Sequence, residues 1–281
     1  MDFGPLVSPD WLTTHYRDPD LRIIDFRWSL DRAGDGHRKY RSRHLPGAVF
    51  VDLEALTGPE TDAGRHPLPS PRQFEQVMRA SGVSNDSIVV VYDDSGGGSA
   101  PRLWWLLHHF GHKRVAVLDG GLHGWLKPLT HGEERNPEGN FTAGADRTYR
   151  AIDYETLRAS LNSVLLLDAR TAPRYRGDDA SIDKIAGHIP GARNSPWRDQ
   201  VDHRGFSRTP LELRQHFTDL GFTESTQTVV YCGSGVSACA VLLAITTAGL
   251  GGAWLYAGSW SDWSTRRGAT IQTGTGCADP S

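Results

Sequence analysis

Thr228-Val-Val-Tyr-Cys-Gly-Ser-Gly-Val-Ser-Ala-Cys239 joins an apolar, β-branched run to a glycine-bearing loop that opens with a cysteine. The run ending at Tyr231 predicts a buried strand, and the apolar segment 236–249 predicts a buried helix. A cysteine between them lies where backbone N–H groups converge and where the positive end of the helix dipole points. Both effects stabilise a thiolate, so we identify Cys232 as the candidate nucleophile.

The other two cysteines have different surroundings. Cys239 lies within the apolar helical segment, which predicts a packing role in the core. Cys277 lies in a tail rich in Gly, Thr and Asp and is predicted to be an exposed thiol. Three cysteines cannot form a disulfide framework, and their spacing fits no zinc site. We therefore expect no metal and a reducing, cytoplasmic location.

Length and composition indicate a two-domain globular protein. A chain of 281 residues spans about two average domains, and a hydrophobic fraction of 38% with nine tryptophans is sufficient for their cores. The formal charge of −3 gives no electrostatic reason to expect nucleic acid or an anionic membrane as a partner. No apolar run approaches the ~20 residues that span a bilayer. The N-terminal residues Met-Asp-Phe-Gly-Pro lack the pattern of a signal peptide.

The two halves of the chain repeat one pattern. His44-Leu-Pro-Gly-Ala48 corresponds to His188-Ile-Pro-Gly-Ala192, which lies 144 residues later. Ile23-Ile-Asp-Phe-Arg27 corresponds to Leu166-Leu-Asp-Ala-Arg170, which lies 143 residues later. This period is far longer than the ~20–50 residues of a solenoid repeat, so the pattern indicates a duplicated domain.

Each half alternates short β-rich runs with helical segments. This order is typical of an α/β domain whose central sheet is mostly parallel and flanked by helices. We predict one such domain over residues 1–130 and a second, catalytic one over residues 151–281. The polar stretch 131–150 has little periodicity and predicts the linker between them.

The halves differ at the position of the nucleophile. Where the second half has Cys232, the first has Asp93, followed by Asp94-Ser-Gly-Gly-Gly98. A carboxylate cannot act as a thiolate nucleophile. We therefore expect one catalytic site per chain.

These motifs, in this order and present twice, resemble those of the tandem-rhodanese sulfurtransferases. The resemblance runs from about Val7 to Thr273 and includes both His-x-Pro-Gly-Ala elements, the Cys232 loop and Gly258-Ser-Trp-x-x-Trp263. It implies two rhodanese-like domains, the first without the catalytic cysteine. It also implies that Cys232 takes a sulfane sulfur from a small-molecule donor as a persulfide and passes it to a thiol, cyanide or a thioredoxin-like acceptor. The persulfide forms on the protein itself, so no external cofactor is implied.

The loop sequence bears on the sulfur donor. Family members specialised for thiosulfate resemble Cys-Arg-Lys-Gly-Val-Thr-Ala, whereas Gly233 and Ser234 stand here in place of the two basic residues, as in mercaptopyruvate enzymes. The resemblance implies 3-mercaptopyruvate as the donor, with thiosulfate as the alternative, and it implies that Ser234 assists Cys232 in catalysis. The backbone of the loop is predicted to form the anion cradle. Its residues are Gly233, Gly235, Val236, Ser237 and Ala238.

A keto-acid donor needs a cation for its carboxylate. Arg174 matches the family's substrate-binding arginine, and a guanidinium group binds a carboxylate bidentately. Mercaptopyruvate enzymes usually have a second arginine several residues further along, and the stretch Asp178–Lys184 has none. Lys184 is the candidate replacement.

Two residues of the first half match positions where the family has an acid and a histidine that face the loop serine. They are Glu54 and His66, and either could polarise Ser234 and so relay a proton to the departing enolate. We expect both as contributors from across the domain interface, with the site in the cleft between the domains.

Three other functions of a cysteine loop fit the sequence less well. A rhodanese-like phosphatase needs Cys-x5-Arg, and Ala238 stands six positions after Cys232. A redox pair needs Cys239 to reach the loop, although Cys239 is predicted to point into the core. A non-enzymatic binding module would explain the first half, but the intact cysteine loop argues against it for the second.

Overall fold

The computed structural model describes residues 4–30, 32–59, 64–144 and 148–275, so Cys277 lies outside the described residues. The chain forms two compact units. The first contains Met1–Gly58, Leu68–Arg147 and Val201–Ser207, and the second contains Pro59–Pro67, Thr148–Gln200 and Arg208–Ser281. The segment Pro59–Pro67, from the first half of the sequence, thus belongs to the second unit. The contiguous domain boundaries given above stay a prediction.

A five-stranded parallel sheet forms the centre of the first unit. Its strands are β1 (Leu6–Val7), β2 (Leu21–Asp25), β3 (Ala48–Phe50), β4 (Ile88–Tyr92) and β5 (Val115–Leu118). They lie in the order β1-β5-β4-β2-β3, and every pairing is parallel. The α-helices are α1 (Pro9–His15), α2 (Asp35–Ser42), α3 (Pro71–Ala80), α4 (Ala100–His109) and α5 (Gly121–Gly124), and a 3₁₀ helix covers Glu54–Leu56.

The second unit repeats this topology. Its strands are β6 (Ala151–Ile152), β7 (Val164–Asp168), β8 (Arg193–Asn194), β9 (Gln227–Tyr231) and β10 (Trp254–Tyr256). They form a parallel sheet in the order β6-β10-β9-β7-β8. The α-helices are α6 (Tyr154–Ser160), α7 (Ala172–Arg176), α8 (Pro210–Asp219), α9 (Ala238–Thr247) and α10 (Ser259–Trp263), with 3₁₀ helices at Leu161–Ser163 and Trp197–Gln200. The predicted α/β class and the duplication are confirmed.

The sequences of the strands and helices explain these elements. All five residues of β4 are buried, and so are the last four of β9. Such continuous apolar runs are typical of parallel strands that helices cover on both faces. Helices α3 and α8 each begin with proline after an N-cap residue, Ser70 and Thr209, and Thr209 forms a capping box with Glu212. None of the described helices combines the length and apolar character needed to cross a membrane.

In each unit a buried ion pair lies at the carboxyl end of the central sheet. In the second unit Arg170 Nη2 lies 2.7 Å from Asp168 Oδ2, and both side chains are fully buried. Tyr231 is the register partner of Asp168, and its hydroxyl accepts a hydrogen bond from the Ile189 N–H at 3.1 Å. The cluster thereby holds the turn at 188–192 against the carboxyl end of the sheet. The first unit repeats this arrangement with Asp25, Arg27 and Tyr92.

Candidate active site

Cys232 lies at the end of β9, where the chain enters the loop that leads to α9. The residue is only 2% exposed. Its N–H donates to Ser259 Oγ at 3.1 Å, and its carbonyl oxygen accepts from the Trp260 N–H at 2.9 Å. Ser259 is buried and has a φ of 55°, a left-handed conformation that few residues other than glycine adopt. The start of α10 therefore fixes the backbone of the cysteine.

The loop closes around the sulfur atom through Gly235. The Gly235 nitrogen lies 3.2 Å from Cys232 Sγ and donates its hydrogen to it. Gly235 has a φ of +80°, and a Cβ there would lie 2.5 Å from the carbonyl oxygen of Ala257, so this position requires glycine. An N–H group that points at a sulfur atom stabilises negative charge on it. The geometry suits a thiolate or a persulfide anion.

The remaining loop residues lead into α9. Val236 is buried, Ser237 is the N-cap residue and Ala238 is the first helical residue, so the positive end of the helix dipole lies at the loop. Cys239 is fully buried, and its thiol donates to the Gly235 carbonyl oxygen at 3.4 Å. Cys232 and Cys239 are both free thiols. Within the ranges that the structure describes, no group of three or more His, Cys, Asp or Glu side chains could hold a metal ion.

Ser234 and His66 form a buried hydrogen-bonded pair. Ser234 Oγ lies 2.8 Å from His66 Nδ1, and the two residues are 6% and 7% exposed. A hydroxyl and an imidazole can each donate or accept, so the pair can hold and move a proton. His66 lies in the segment Pro59–Pro67, which belongs to the second unit. Glu54 belongs to the first unit, where its Oε1 accepts from Trp28 Nε1 at 3.4 Å, and its role at the site stays a prediction.

Arg174 extends from α7 to the first loop glycine. A Cβ added at Gly233 would lie 2.7 Å from Arg174 Nη2. Asp183 binds the same guanidinium group, with Nε–Oδ2 and Nη2–Oδ1 distances of 2.9 and 2.7 Å. Burial raises the pKa of Asp183, but the hydrogen bonds and charges of Arg174 and Arg170 outweigh it and hold that pKa below its ordinary value. The carboxylate is therefore ionised at neutral pH.

Arg65 is a charged neighbour of the loop that sequence reasoning missed. A Cβ added at Gly233 would lie 2.8 Å from its Nη2, and its Nη1 lies 3.7 Å from Asp183 Oδ1. Arg65 and Asp183 are 118 residues apart in the chain, so only the position of Arg65 next to His66 could have drawn attention to it. Lys184, the candidate second cation, is an exposed residue.

The equivalent loop of the first unit is filled by its own carboxylate. Asp93 follows β4 and is 1% exposed. Its Oδ1 accepts from the N–H groups of Ser95 and Gly97 at 2.9 and 3.0 Å. Its Oδ2 accepts from those of Ser99 and Ala100 at 2.9 and 2.8 Å. These N–H donors are already engaged, and the loop carries no sulfur.

Known proteins are similar to this chain over nearly its whole length. The model of the rhodanese-like domain matches twice, over residues 8–128 and 153–266. A Pseudomonas aeruginosa protein described as a probable 3-mercaptopyruvate sulfurtransferase is 41% identical over 98% of this chain and 100% of its own. The thiosulfate sulfurtransferase of Cricetulus griseus is 36% identical over 93% of this chain and 92% of its own. The crystal structure of SseA from Escherichia coli, described with the mechanism of 3-mercaptopyruvate sulfotransferases, is 37% identical with a TM-score of 0.81; the match covers 92% of this chain and 100% of SseA.

Proposed function

The chain belongs to the rhodanese-like family and is a sulfurtransferase, and we propose its substrates and the roles of its residues as follows. We propose that it moves a sulfane sulfur from 3-mercaptopyruvate to a thiol or cyanide acceptor through a persulfide on Cys232. One observation carries the proposal: the Gly235 N–H meets Cys232 Sγ in the same loop in which Ser234 is hydrogen-bonded to His66.

In the first half-reaction the Cys232 thiolate attacks the sulfur of 3-mercaptopyruvate. An S–S bond forms, the C–S bond breaks, and its electron pair passes to the carbon, which gives the enolate of pyruvate. The thiol proton of the donor stays on the outer sulfur of the new persulfide and is then lost to solvent, which leaves the persulfide anion. Ser234, hydrogen-bonded to His66, supplies the proton that converts this enolate to pyruvate. The Gly235 N–H and the start of α9 stabilise the charge on the new persulfide.

Arg174 binds the carboxylate of the donor. Its Nη2 is the atom that a Cβ at Gly233 would touch, so the guanidinium group lies directly beside the reactive loop. Glycine leaves room there for the donor, and the loop from Cys232 to Ala238 carries no basic side chain of its own. The anionic end of the donor is thus held by a side chain from α7 rather than by the loop.

In the second half-reaction the acceptor attacks the outer sulfur of the persulfide. The S–S bond breaks, and Cys232 returns to the thiolate. A thiol acceptor leaves as a persulfide and cyanide leaves as thiocyanate, and a thioredoxin-like protein would accept the sulfur through its own thiol. We also propose a cytoplasmic location, where such thiols stay reduced, because the chain has only three cysteines.

Steady-state kinetics with the two donors tests the choice of substrate. With saturating cyanide as the common acceptor, we expect kcat/KM for 3-mercaptopyruvate to exceed that for thiosulfate by about tenfold, or about 1.4 kcal/mol of transition-state stabilisation. A preference for thiosulfate would favour the alternative function, a thiosulfate sulfurtransferase that uses the same persulfide. The identity to the thiosulfate enzyme of Cricetulus griseus supports that alternative.

Replacing Ser234 with alanine is expected to affect the two donors differently. The enolate of pyruvate needs a proton, whereas sulfite leaves thiosulfate as an anion and needs none. We expect kcat to fall about 100-fold with 3-mercaptopyruvate and by less than about threefold with thiosulfate. Because Ser234 and His66 act as one proton relay, kcat with 3-mercaptopyruvate should be little lower in the double variant Ser234→Ala/His66→Ala than in Ser234→Ala alone.

Ser237→Ala is the matched control for this experiment. It removes a hydroxyl from the same loop but keeps the backbone N–H, which is the part of Ser237 predicted to belong to the anion cradle, and the Ser237 side chain caps no helical N–H group. We expect its kcat values to stay within about threefold of the wild type for both donors. Equal losses with both donors in Ser234→Ala would mean that Ser234 shapes the loop and moves no proton.

A further inference from the structure

Three charged side chains meet beside Gly233, at the opening of the Cys232 loop. A Cβ at Gly233 would lie 2.7 Å from Arg174 Nη2 and 2.8 Å from Arg65 Nη2, so both guanidinium groups face this residue. Asp183 contacts both of them, Arg174 through two hydrogen bonds and Arg65 at 3.7 Å. The Asp183 side chain is 1% exposed, against 14% for Arg174 and 33% for Arg65. Solvent, and hence a donor, reaches the guanidinium groups rather than the carboxylate.

Arg170 also contacts Asp183, but its charge is already balanced. Its Nη1 lies 3.1 Å from Asp183, while its Nε and Nη2 bind Asp168 at 3.1 and 2.7 Å. The Asp168–Arg170 pair is fully buried and neutral as a whole. The charges that remain are two positive ones, on the guanidinium groups of Arg65 and Arg174, and one negative one, on the carboxylate of Asp183. These five side chains, Arg65, Arg174, Asp183 and the Asp168–Arg170 pair, together carry one net positive charge next to the loop.

We propose that Arg65 is the second cation of the donor-binding site and that Asp183 holds the net charge of this site at one. The inference rests on the proposed function, since it concerns the donor of the same reaction. Two guanidinium groups can bind the oxygens of one carboxylate from two sides. Arg65 thereby has the role for which the sequence suggests Lys184, that of the second cation for the donor carboxylate. The buried carboxylate of Asp183 lowers the net charge of the site, which then suits a donor with a single negative charge.

The two donors differ in the charge that meets this cluster. 3-Mercaptopyruvate brings one negative charge, on its carboxylate, and thiosulfate brings two. Each donor charge is attracted by the guanidinium groups and repelled by Asp183, so the dianion responds about twice as strongly to any change in the charge of the site. Charges at a partly buried site are screened only weakly by salt. Removal of the Asp183 charge therefore favours thiosulfate over 3-mercaptopyruvate.

Donor selectivity in four full-length proteins tests this inference: the wild type, Asp183→Asn, Arg65→Gln and the double variant. We measure the ratio of kcat/KM for thiosulfate to that for 3-mercaptopyruvate at fixed ionic strength. Asp183→Asn is expected to raise the ratio about tenfold, and Arg65→Gln to lower it about tenfold while raising KM for both donors. The double variant restores a net charge of one, so its ratio should return to within about threefold of the wild type.

Asp178→Asn is the matched control. Asp178 forms an exposed ion pair with Arg176 at 2.7 Å, five residues before Asp183 in the same connection, and its replacement makes the same change in charge. We expect its ratio to stay within about twofold of the wild type. Thermal unfolding and alkylation of Cys232 by iodoacetamide, a neutral reagent, verify that each variant is folded with its loop intact.

If Asp183 and Arg65 only position other groups, each substitution should lower kcat/KM by the same factor for both donors. If their charges select the donor, the ratio of the two kcat/KM values should change. If Asp183→Asn does not fold, Arg65→Gln and Arg65→Lys decide, since only the lysine variant keeps the charge and should keep the ratio within about threefold. Ratios that stay at the wild-type value in Asp183→Asn and Arg65→Gln would overturn the inference. A wild type that prefers thiosulfate would instead count against the proposed donor, and the order of the variants would still test the inference.

Discussion

Cys232→Ser is expected to lower kcat/KM by about 10⁴-fold or more with either donor. The serine hydroxyl is not ionised at neutral pH, and an oxygen nucleophile cannot store a sulfane sulfur as a persulfide. The substitution keeps the size of the side chain, and the backbone bonds of this residue to Ser259 and Trp260 do not involve the sulfur atom. The unfolding temperature should therefore stay close to that of the wild type. Steady-state rates and a thermal melt of the same preparation check both statements.

Cys239→Ser is the matched control for this variant. Its hydroxyl can donate to the Gly235 carbonyl oxygen as the Cys239 thiol does, at a fully buried position of α9. We expect this variant to keep its activity within about threefold of the wild type. Its free energy of unfolding should fall by about 1 kcal/mol, because a more polar hydroxyl replaces the buried thiol. A 10⁴-fold loss in Cys239→Ser, or turnover by Cys232→Ser, would contradict the assignment of the nucleophile.

Gly235→Ala is expected to have the second-largest effect, because it deforms the loop that holds the sulfur. Its Cβ would lie 2.5 Å from the Ala257 carbonyl oxygen, and its φ of +80° already disfavours alanine. The loop must move, and the N–H that now meets Cys232 Sγ at 3.2 Å moves with it. We expect kcat/KM to fall about 100-fold and the free energy of unfolding to fall by about 2–4 kcal/mol.

Gly252→Ala separates the two causes of that effect. Gly252 has a φ of +79°, nearly that of Gly235, but no atom lies within 4 Å of a Cβ built there. The free energy of unfolding of this variant should fall by only about 1 kcal/mol, which is the cost of the left-handed conformation for alanine, and its activity should stay that of the wild type. If Gly235→Ala behaves like Gly252→Ala in both assays, the contact with Ala257 does not shape the active loop.

Much of the fold was predictable because its signals are local. The run from Thr228 to Tyr231 is apolar and β-branched, and the structure has it in a central buried strand. The prolines at 71 and 210 begin helices α3 and α8. The two halves of the sequence share one pattern of alternating strands and helices, and the two sheets accordingly have the same strand order. Periodicity and helix-start signals of this kind depend on neighbours within a few residues.

The charged cluster beside the loop was not predictable in the same way. The stretch Asp178–Lys184 lacks the second arginine that the resemblance implies, and the sequence predicts Lys184 as the cation that replaces it. In the structure Lys184 is exposed and its neighbour Asp183 is buried against the guanidinium groups, and the role of Lys184 stays a prediction. In an irregular segment no periodicity tells which of two adjacent side chains points inward. Arg65 reaches the same place from a distant part of the chain, which only the tertiary structure brings near.

In the proposed mechanism Cys232 carries one sulfur atom per chain. The most direct test is the intact mass of the protein after incubation with 3-mercaptopyruvate and no acceptor, followed by peptide mapping. We predict that the wild type gains the mass of one sulfur atom on the peptide containing Cys232 and loses it when cyanide is added. Cys232→Ser should gain none. Sulfur found instead on Cys239 or Cys277, or turnover by a chain that never carries the extra sulfur, would contradict this mechanism.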